Sequence, residues 1–520
     1  MVIVRMNAFS SCHSRVLCAG VYSWKVPGPS PKVPDSTPTM NDQSKPKESA
    51  LVEDVLGRAA QAAAIFNQLD QEQTDKITEA VYKEGLRNRI KLAKMAHAET
   101  GIGRWDHKVI KNVIATQYVY NDIKDLKTVG IISEDNLTGI SEIAQPIGPI
   151  LAIIPCTNPT STALFKILIS LKTRNPIIIS PHHRALASCR ETVRICYEAA
   201  LSAGAPDDCI IFFERASRED TRALMSDRRL ALILATGGES VVKAAYSSGT
   251  PALGVGAGNV PVFIERTADV PFAIAEIYKS KLFDNGTICA SEQAIVIERC
   301  IAAQVREELL RVKAFLLSRE QIDAVGKAVF DADKHVMRGE IIGRTALEIA
   351  TLAGIVVPGD TTLLVAPLDA IGPKEPLSSE ILAPVIALYE ADSFDKAVNL
   401  CIDLNFYGGI GHTASLFSND DAVIKKFSLL MNAGRVVVNM PSSQGAVGGT
   451  YSCIPASFTL GCGTGGKNIT TDNVTAKHLL NIQRICRRRV NQRMMQFDNS
   501  LYYDETATPE AIEMAFNRNC

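Results

Sequence analysis

The 520-residue sequence lacks any apolar run of the roughly 18 residues that a membrane-spanning helix requires. It also lacks an excess of positive charge, because 55 lysines and arginines stand against 56 aspartates and glutamates, for a net charge of −1. Proteins that bind nucleic acid through its phosphates carry a strongly basic surface. We therefore expect neither a membrane nor a nucleic acid as partner.

The sequence also lacks cysteines at regular, motif-like spacings. The thirteen cysteines are odd in number and scattered along the chain, and no C-x-x-C motif occurs. This pattern argues against a disulfide framework and against a zinc ribbon. We expect no metal site and a reducing compartment, the cytoplasm.

Acidic residues are absent before Asp35, and prolines cluster between Pro27 and Pro38. A basic, acid-free start is typical of organelle transit peptides. The same composition suits a non-structural leader translated from upstream of a start at Met40. Both interpretations stay open, and both predict no fold for residues 1–40.

What the sequence does contain is an alternation of short apolar runs with helical patterns, such as the helices predicted at Thr160–Leu171 and Ala185–Ala203. Continuous apolar strands separated by helices are typical of a parallel sheet covered on both faces, so the expected class is α/β and doubly wound. The strands predicted in this first series are Ile150–Ile154, Pro176–Ser180, Ile210–Phe213, Leu232–Thr236 and Val262–Ile264.

A second α/β series follows residue 289. Helices are predicted near Ala302–Leu317 and Asp395–Ile402, and a last helix at Val474–Arg493 that ends in a basic run. The strands predicted in this series are Ala294–Ile297, Thr362–Val365, Val385–Tyr389 and Arg435–Val438.

The most informative window is FDNGTICASEQ, residues 283–293, which contains Cys289. A cysteine just before a strand can present its sulfur to a cleft, where backbone dipoles activate it as a nucleophile. Most cysteines are instead small buried hydrophobes. The polar neighbours Asp284, Asn285 and Glu292 favour the first interpretation.

Two further windows carry polar groups at predicted strand ends. Asn158 follows the run IIPCT and precedes a helix, where its amide can donate to an oxyanion or simply act as a turn or N-cap residue. Thr236, Gly237 and Gly238 close a strand and open a helix, a natural place for a phosphate or ribose. The spacing Gly254-x-Gly256-x-Gly258 is a weak match to a dinucleotide loop, and we interpret it as a tight turn near the site.

Together these windows resemble the aldehyde dehydrogenase superfamily, and more narrowly the CoA-acylating half of bifunctional aldehyde–alcohol dehydrogenases. The resemblance covers about residues 48 to 490 and suggests a stand-alone acylating enzyme. The stretches that carry it include KVIKNVIATQYVYN (108–121), NPTSTALFKILISLKTRNPIIISPHHRA (158–185), ILATGGESVVKAAYSSGTPALGVGAGN (233–259), FDNGTICASEQ (283–293), GGIGHTASLF (408–417) and TLGCGTGGKN (459–468).

The resemblance implies a role for each matching residue. Cys289 matches the nucleophile, Asn158 the oxyanion asparagine, and His412 a histidine on the acyl-transfer side of the cleft. The residues that match contacts to a nicotinamide cofactor, NAD or NADP, are Glu380, Thr236, Gly237, Gly238, Ser180 and Pro181.

The resemblance also implies the aldehyde dehydrogenase fold, with two doubly wound α/β domains and a small β extension for homo-oligomerisation. We expect a cofactor-binding domain at 41–286 with a return segment at about 439–470. The catalytic domain is expected at 287–438, and a C-terminal helix and tail at 471–520.

The sequence lacks the general base of hydrolytic family members, a glutamate roughly 30–35 residues before the nucleophile, since no acidic residue occurs from Ser240 to Ile264. We therefore expect coenzyme A rather than water to accept the acyl group. A displaced alignment that brings Glu239 or Glu265 into the base position would restore hydrolysis to the free acid.

The aldehyde itself is expected to be short, because only 6% of residues are aromatic. Acetaldehyde is one candidate. Lys467, in a stretch where the bifunctional enzymes carry tryptophan, would suit an anionic aldehyde such as sulfoacetaldehyde, although surface lysines are common. His182, His183 and Arg184, beside the expected adenosine ribose, are compatible with the 2′-phosphate of NADP.

Overall fold

The computed structural model describes residues 50–214, 217–331 and 336–518, so the predicted leader at 1–40 lies outside the described residues. Within this part of the chain no helix is both long and apolar enough to cross a membrane. Ten of the thirteen cysteines fall in the described ranges, and all ten are free thiols.

The α-helices, numbered α1 to α19 in chain order, are Ala50–Phe66, Gln71–Arg87, Arg89–Thr100, Trp105–Val113, Val119–Ile123, Pro159–Lys172, Leu186–Ser202, Arg218–Ser226, Glu239–Tyr246, Val270–Leu282, Ala302–Arg311, Arg319–Val329, Ala346–Leu352, Phe394–Gly408, Asp421–Leu430, Ser442–Val447, Gln492–Gln496, Ser500–Tyr503 and Pro509–Arg518. The strands, numbered β1 to β17, are Gly130–Asp135, Ile140–Pro146, Ile150–Ile154, Ile177–Pro181, Ile210–Phe212, Leu232–Thr236, Ala252–Val255, Val260–Ile264, Glu292–Glu298, Ala314–Leu316, Phe330–Asp331, Val336–Met337, Leu363–Pro367, Val385–Ala391, Gly411–Phe417, Ala433–Val438 and Leu480–Cys486.

A five-stranded parallel sheet forms the first α/β layer, in the order β5-β4-β3-β6-β7. Helix α6 packs against it and is buried along its whole length, polar residues included. Lys166 of this helix donates to the backbone carbonyl oxygens of Ile153 and Leu234 in the sheet. The chain order reverses between β3 and β6. In open parallel sheets such a reversal leaves a crevice at the carboxyl ends of the strands, where ligands bind.

A seven-stranded parallel sheet forms the second layer, in the order β10-β13-β14-β9-β8-β15-β16. Alternate residues of its central strand β9 face opposite sides. Ala294 and Val296 join one core cluster, whereas Ile295 and Ile297 join the other. The four residues from Ala294 to Ile297 are all apolar because both faces of the sheet are covered. These two layers confirm the predicted α/β class.

A third, antiparallel sheet has the order β1-β2-β17. The helix predicted at Val474–Arg493 is therefore wrong. Residues Leu480–Cys486 form β17 and pair with Ile140–Pro146, and short helices α17 to α19 follow. Leu480 and Ile482 alternate with polar residues, a period-two pattern that indicates a half-buried strand rather than a helix.

Two other predicted elements need correction. Val260–Ile264 belongs to the seven-stranded sheet and not to the first series, because the chain crosses from one sheet to the other within residues 256–259. The helix predicted at Ala302–Leu317 ends at Arg311. Lys313 takes a left-handed backbone angle (φ 62°) and turns the chain into strand β10.

Candidate active site

The residues that the sequence singles out lie at two strand edges. One edge is formed by the carboxyl ends of β3 and β6, and the other by the amino ends of β9, β14 and β15. Asn158 and Thr236 lie at the first edge. Cys289, Glu380 and His412 lie at the second. The chain passes directly from β7 to β8. It thereby places the carboxyl edge of the five-stranded sheet beside the amino edge of the seven-stranded sheet.

Cys289 lies in a turn that a run of left-handed residues produces. Asp284, Asn285 and Gly286 have φ angles of 51°, 53° and 74°. Left-handed backbone angles cost free energy in residues other than glycine, such as Asp284 and Asn285. They persist only where the surrounding structure holds them. The Asn285 side chain donates to the Gly343 carbonyl oxygen over 2.8 Å, which is one of the bonds that fix this turn.

His412 is the side chain in hydrogen-bond contact with the cysteine sulfur. Its Nε2 atom lies 3.3 Å from Cys289 Sγ, and its Nδ1 atom lies 2.9 Å from Thr413 Oγ1. Burial, together with the nearby Arg435 guanidinium, lowers the pKa of His412 to about 3. The imidazole is therefore neutral at physiological pH and carries one N–H.

The position of that hydrogen follows from the groups around the ring. Arg435 donates to the His412 carbonyl oxygen over 3.0 Å and to Thr413 Oγ1 over 3.3 Å. The Thr413 hydroxyl has one hydrogen and two lone pairs, so it can accept from Arg435 and donate to Nδ1 at the same time. In that arrangement Nε2–H faces the sulfur, as the stabilisation of a thiolate requires.

Burial, together with the charges of Glu380 and Cys462, raises the pKa of Cys289 to about 12, although the charge of Arg435 opposes the shift. In the free protein the thiol is therefore protonated at neutral pH. Loss of the Glu380 charge or a gain of positive charge beside the sulfur would increase the thiolate fraction.

Glu380 faces the same cleft. Its Oε1 atom accepts the amide hydrogen of Gly258 over 2.9 Å. Burial raises the pKa of Glu380 to about 7, although the Gly258 hydrogen bond and the Lys281 charge oppose the shift. Gly254 lies in strand β7, so the predicted tight turn is limited to the short connection at 256–259, and Gly258 of that connection contacts a carboxyl group of the candidate site.

Asn158 begins helix α6 but makes no side-chain cap hydrogen bond, so the alternative N-cap role is not the one it has. Its Oδ1 atom accepts from Lys111 Nζ over 2.5 Å, and its Nδ2 atom donates to Thr157 Oγ1 over 3.3 Å. The amide is held by its oxygen, and its nitrogen keeps a second N–H, besides the one donated to Thr157, as a donor for the cleft.

The end of β6 has the features of a dinucleotide site. Thr236 Oγ1 is buried without a hydrogen-bond partner, and Gly238 opens helix α9 with free space where a Cβ would stand. An unsatisfied hydroxyl beside a helix N-terminus suits a phosphate. Ser180 and Pro181 end the neighbouring strand β4 and are half-buried. These residues fit a bound nicotinamide dinucleotide.

Comparison with known proteins identifies the family. The model of the aldehyde dehydrogenase family matches residues 34–458. The chain belongs to the aldehyde dehydrogenase family. The resemblance drawn from the sequence is thereby confirmed.

Three known proteins are similar to this chain over most of its length. The bifunctional aldehyde-alcohol dehydrogenase of Escherichia coli K12 is 43% identical over 469 residues, which cover 89% of this chain and 52% of the relative. The acylating sulfoacetaldehyde dehydrogenase of Bilophila wadsworthia is 38% identical over 442 residues, 83% of this chain and 94% of the relative. The crystal structure of an acetylating aldehyde dehydrogenase from Geobacillus thermoglucosidasius is 42% identical, with a TM-score of 0.82 over 85% of this chain and 97% of that chain. The chain thus spans about half the length of the bifunctional relatives it matches.

Glu265, one of the two alternatives for the general base of hydrolytic family members, does not lie where that base would act. This residue follows the carboxyl end of β8, at the opposite end of the strand from Gly258, and its carboxylate accepts from Thr267 and Ser418. A general base must lie within hydrogen-bond reach of the proton it removes. The side chain of Glu239, the other alternative, lies outside the described residues.

Sequence reasoning missed the buried cations around the site. Lys111, Lys281 and Arg435 are each at most 6% exposed and contact the elements that carry Asn158, Glu380 and His412. The signal in the sequence is weak, because lysines and arginines are mostly solvent-exposed. Among the described residues no group of three His, Cys, Asp or Glu side chains could hold a metal ion.

Proposed function

We propose that the protein is a CoA-acylating aldehyde dehydrogenase that oxidises a short aldehyde to its acyl-CoA. The observation that carries the proposal is the contact of Cys289 Sγ with a neutral His412 beside Glu380 and Asn158. The "acylating" and "acetylating" activities in the names of the relatives support it.

The chemistry follows from the geometry. Cys289 first loses its thiol proton to solvent. The thiolate, stabilised by His412 Nε2–H, then adds to the aldehyde carbon, and Asn158 Nδ2 donates to the oxyanion that forms. Bound nicotinamide supplies the acceptor for the hydride that leaves as the thioester forms. Glu380 would hold the nicotinamide ribose, and Thr236 with Gly237 and Gly238 the pyrophosphate. Ser180 and Pro181 would contact the adenosine ribose.

Coenzyme A is the acyl acceptor in this proposal. The described residues hold no carboxylate at the hydrolytic base position between Ser240 and Ile264, so nothing there activates water. A second thiol can then attack the Cys289 thioester, with Cys289 as the leaving group. Whether NAD or NADP serves depends on the groups after β4, where His183 is exposed and Arg184 donates to the Thr100 carbonyl oxygen.

Lys467 favours an anionic aldehyde. It is exposed and left-handed (φ 60°) in a loop that packs on Gly411, the residue before His412. A cation there would attract a sulfonate, and the Bilophila wadsworthia relative acts on sulfoacetaldehyde. Replacement by methionine, Lys467→Met, should raise the KM for sulfoacetaldehyde at least about tenfold and leave acetaldehyde unaffected. An equal effect on both aldehydes would contradict an anionic substrate.

The decisive experiment uses the full chain with each aldehyde, each nicotinamide, and CoA present or omitted. Acyl-CoA is measured by mass spectrometry, and enzyme trapped without CoA is digested to find the acyl group on the Cys289 peptide. Cys289→Ala should abolish both signals, whereas Cys300→Ala, at an exposed thiol, should keep them. Free acid formed at the full rate without CoA would establish the hydrolytic alternative instead.

The small antiparallel sheet supports a homo-oligomer. Its outer strands β1 and β17 are largely exposed and have no further strand partner among the described residues. An exposed strand edge readily pairs with another chain. Light scattering of the purified chain should give a mass above the monomer, and deletion from residue 480 onward should reduce it.

A further inference from the structure

Two buried lysines lie behind the candidate oxyanion site. Lys108 and Lys111 are one turn apart on helix α4 and are 2% and 1% exposed. Both donate to the same carboxylate oxygen, Asp284 Oδ2, over 2.9 Å and 2.5 Å. Asp284 is fully buried in the left-handed turn that leads to Cys289. Two cations and one anion give this cluster a net charge of +1.

Lys111 uses all three of its N–H groups. Besides Asp284, its Nζ atom donates to Asn158 Oδ1 over 2.5 Å and to Thr287 Oγ1 over 2.9 Å. Lys108 donates to the backbone carbonyl of Thr157 over 3.0 Å. The cluster therefore ties the loop that carries Asn158 to the turn that carries the nucleophile.

The direction of the Asn158 amide follows from this contact. An ammonium group has donors and no acceptor, so only the amide oxygen can face Lys111. The amide nitrogen must then point away from the lysine. A neutral or apolar residue at position 111 would let the amide rotate, and the oxyanion would meet an oxygen in half of the orientations.

Charge supports the same role. Burial lowers the pKa of Lys111 to about 8, but Asp284 opposes that shift, and the Cys289 thiolate also favours the charged lysine. Hydrogen bonding to the amide oxygen also polarises the amide and strengthens its N–H as a donor.

We propose that Lys111 is a positioning residue for thioester formation, which holds Asn158 by its oxygen and thereby turns the amide nitrogen toward the reacting carbonyl. The inference rests on the oxyanion role of Asn158 in the proposed function. Lys108 and Asp284 fix the position of Lys111 relative to the loop that carries Asn158 and the turn that leads to Cys289.

The test is a double-mutant cycle of Lys111→Met and Asn158→Ala, read out as the single-turnover rate of nicotinamide reduction. Loss of an oxyanion donor costs about 100-fold or more, so Asn158→Ala should be slowed by that factor. Lys111→Met should be slowed about 10- to 100-fold with little change in the KM for nicotinamide. If Lys111 acts through Asn158, the double variant should be no more than about twofold slower than Asn158→Ala alone.

Lys172→Met is the matched control. Lys172 is also buried and donates to a carboxylate, Asp75, over 2.5 Å, but on the far end of helix α6. Its loss should change thermal stability and leave the single-turnover rate per folded molecule unchanged. Lys111→Met leaves Asp284 paired with Lys108, so we expect it to fold. Lys111→Gln, which keeps a donor for Asn158 Oδ1, should have an intermediate rate and can take its place in the cycle.

The outcomes separate the two proposals. If the effects of Lys111→Met and Asn158→Ala multiply in the double variant, the positioning role is wrong while the oxyanion role stands. If Asn158→Ala keeps the full rate, both are wrong. If unmodified enzyme forms no acyl-CoA although single-turnover reduction responds to both variants as expected, the CoA proposal fails and the positioning role stands.

Discussion

Gly258 donates its amide hydrogen to Glu380 over 2.9 Å while its α-carbon lies against Cys289 and His412. A Cβ at this position would collide with the Cys289 carbonyl oxygen and lie 3.1 Å from the His412 ring. Glycine is therefore required here by close approach rather than by backbone angle.

Gly258→Ala should consequently displace the nucleophile. A shift of about 1 Å at a reacting group costs about 100-fold in rate, so we expect at least that loss in kcat/KM for the aldehyde. Gly256→Ala, two residues away, has no atom within 4 Å of the added Cβ and should stay within about twofold of wild type. Equal rates for the two variants would show that the close approach does not matter.

Glu380→Gln should separate sulfur reactivity from hydride transfer. The Glu380 charge raises the pKa of Cys289, and this charge is present mainly above pH 7, since the pKa of Glu380 is about 7. Its removal should speed alkylation of Cys289 by iodoacetamide about three- to tenfold at pH 8.5 and leave it unchanged at pH 5.5. Aldehyde oxidation should instead become slower. Slower alkylation at pH 8.5 would contradict the electrostatic argument.

His412→Gln should slow thioester formation by a factor that does not depend on pH. The pKa of His412 is about 3, so the imidazole stays neutral from pH 5.5 to 8.5. We expect a loss of about 100-fold, typical for removal of a positioned hydrogen-bond donor from a developing charge. The ratio of wild-type to variant rates is measured across that range. A ratio that changes around pH 6.5 would mean that the histidine titrates normally.

Glu292→Gln should stabilise the fold at neutral pH. Burial raises the pKa of Glu292 to about 7, and its Oε2 atom has no hydrogen-bond partner. The native state therefore binds this proton more tightly than the unfolded chain, so its contribution is complete below about pH 4.5 and is lost as the pH rises to about 7. The variant avoids that loss, which amounts to about 3 kcal/mol.

The measurement for Glu292→Gln is the melting temperature at pH 5 and pH 8. The variant should gain relative to wild type at pH 8 and much less at pH 5. Glu72→Gln, at an exposed position on helix α2, controls for the substitution itself. A gain that is larger at pH 5 would have the wrong sign.

Much of the fold was predictable from short apolar runs. Ile150–Ile154 and Leu232–Thr236 are strands at the predicted bounds, because a strand buried on both faces needs only apolar residues in sequence. Leu480–Cys486 was not predicted, since its basic neighbours suggested a helix end. Its partner strand lies more than 300 residues earlier, and no local pattern announces such a pairing.

The site was predictable only in part. The FDNGTICASEQ window located Cys289, and the family resemblance located His412 and Glu380. The contacts of Lys111 with Asn158 and Asp284 join three separate parts of the chain, at positions 111, 158 and 284. Their positions in a single sequence carry no information about that proximity. The buried lysines near the site could therefore be found only from the structure.

The short crossing at residues 256–259 joins the two parallel sheets directly beside the nucleophile. Any hinge motion that parted the sheets at this corner would pull on the backbone that touches the sulfur-bearing residue. Substrate and cofactor must therefore enter and leave along the remaining rim of the cleft. The covalent connection at residues 256–259 thus makes this corner of the cleft the one least free to open.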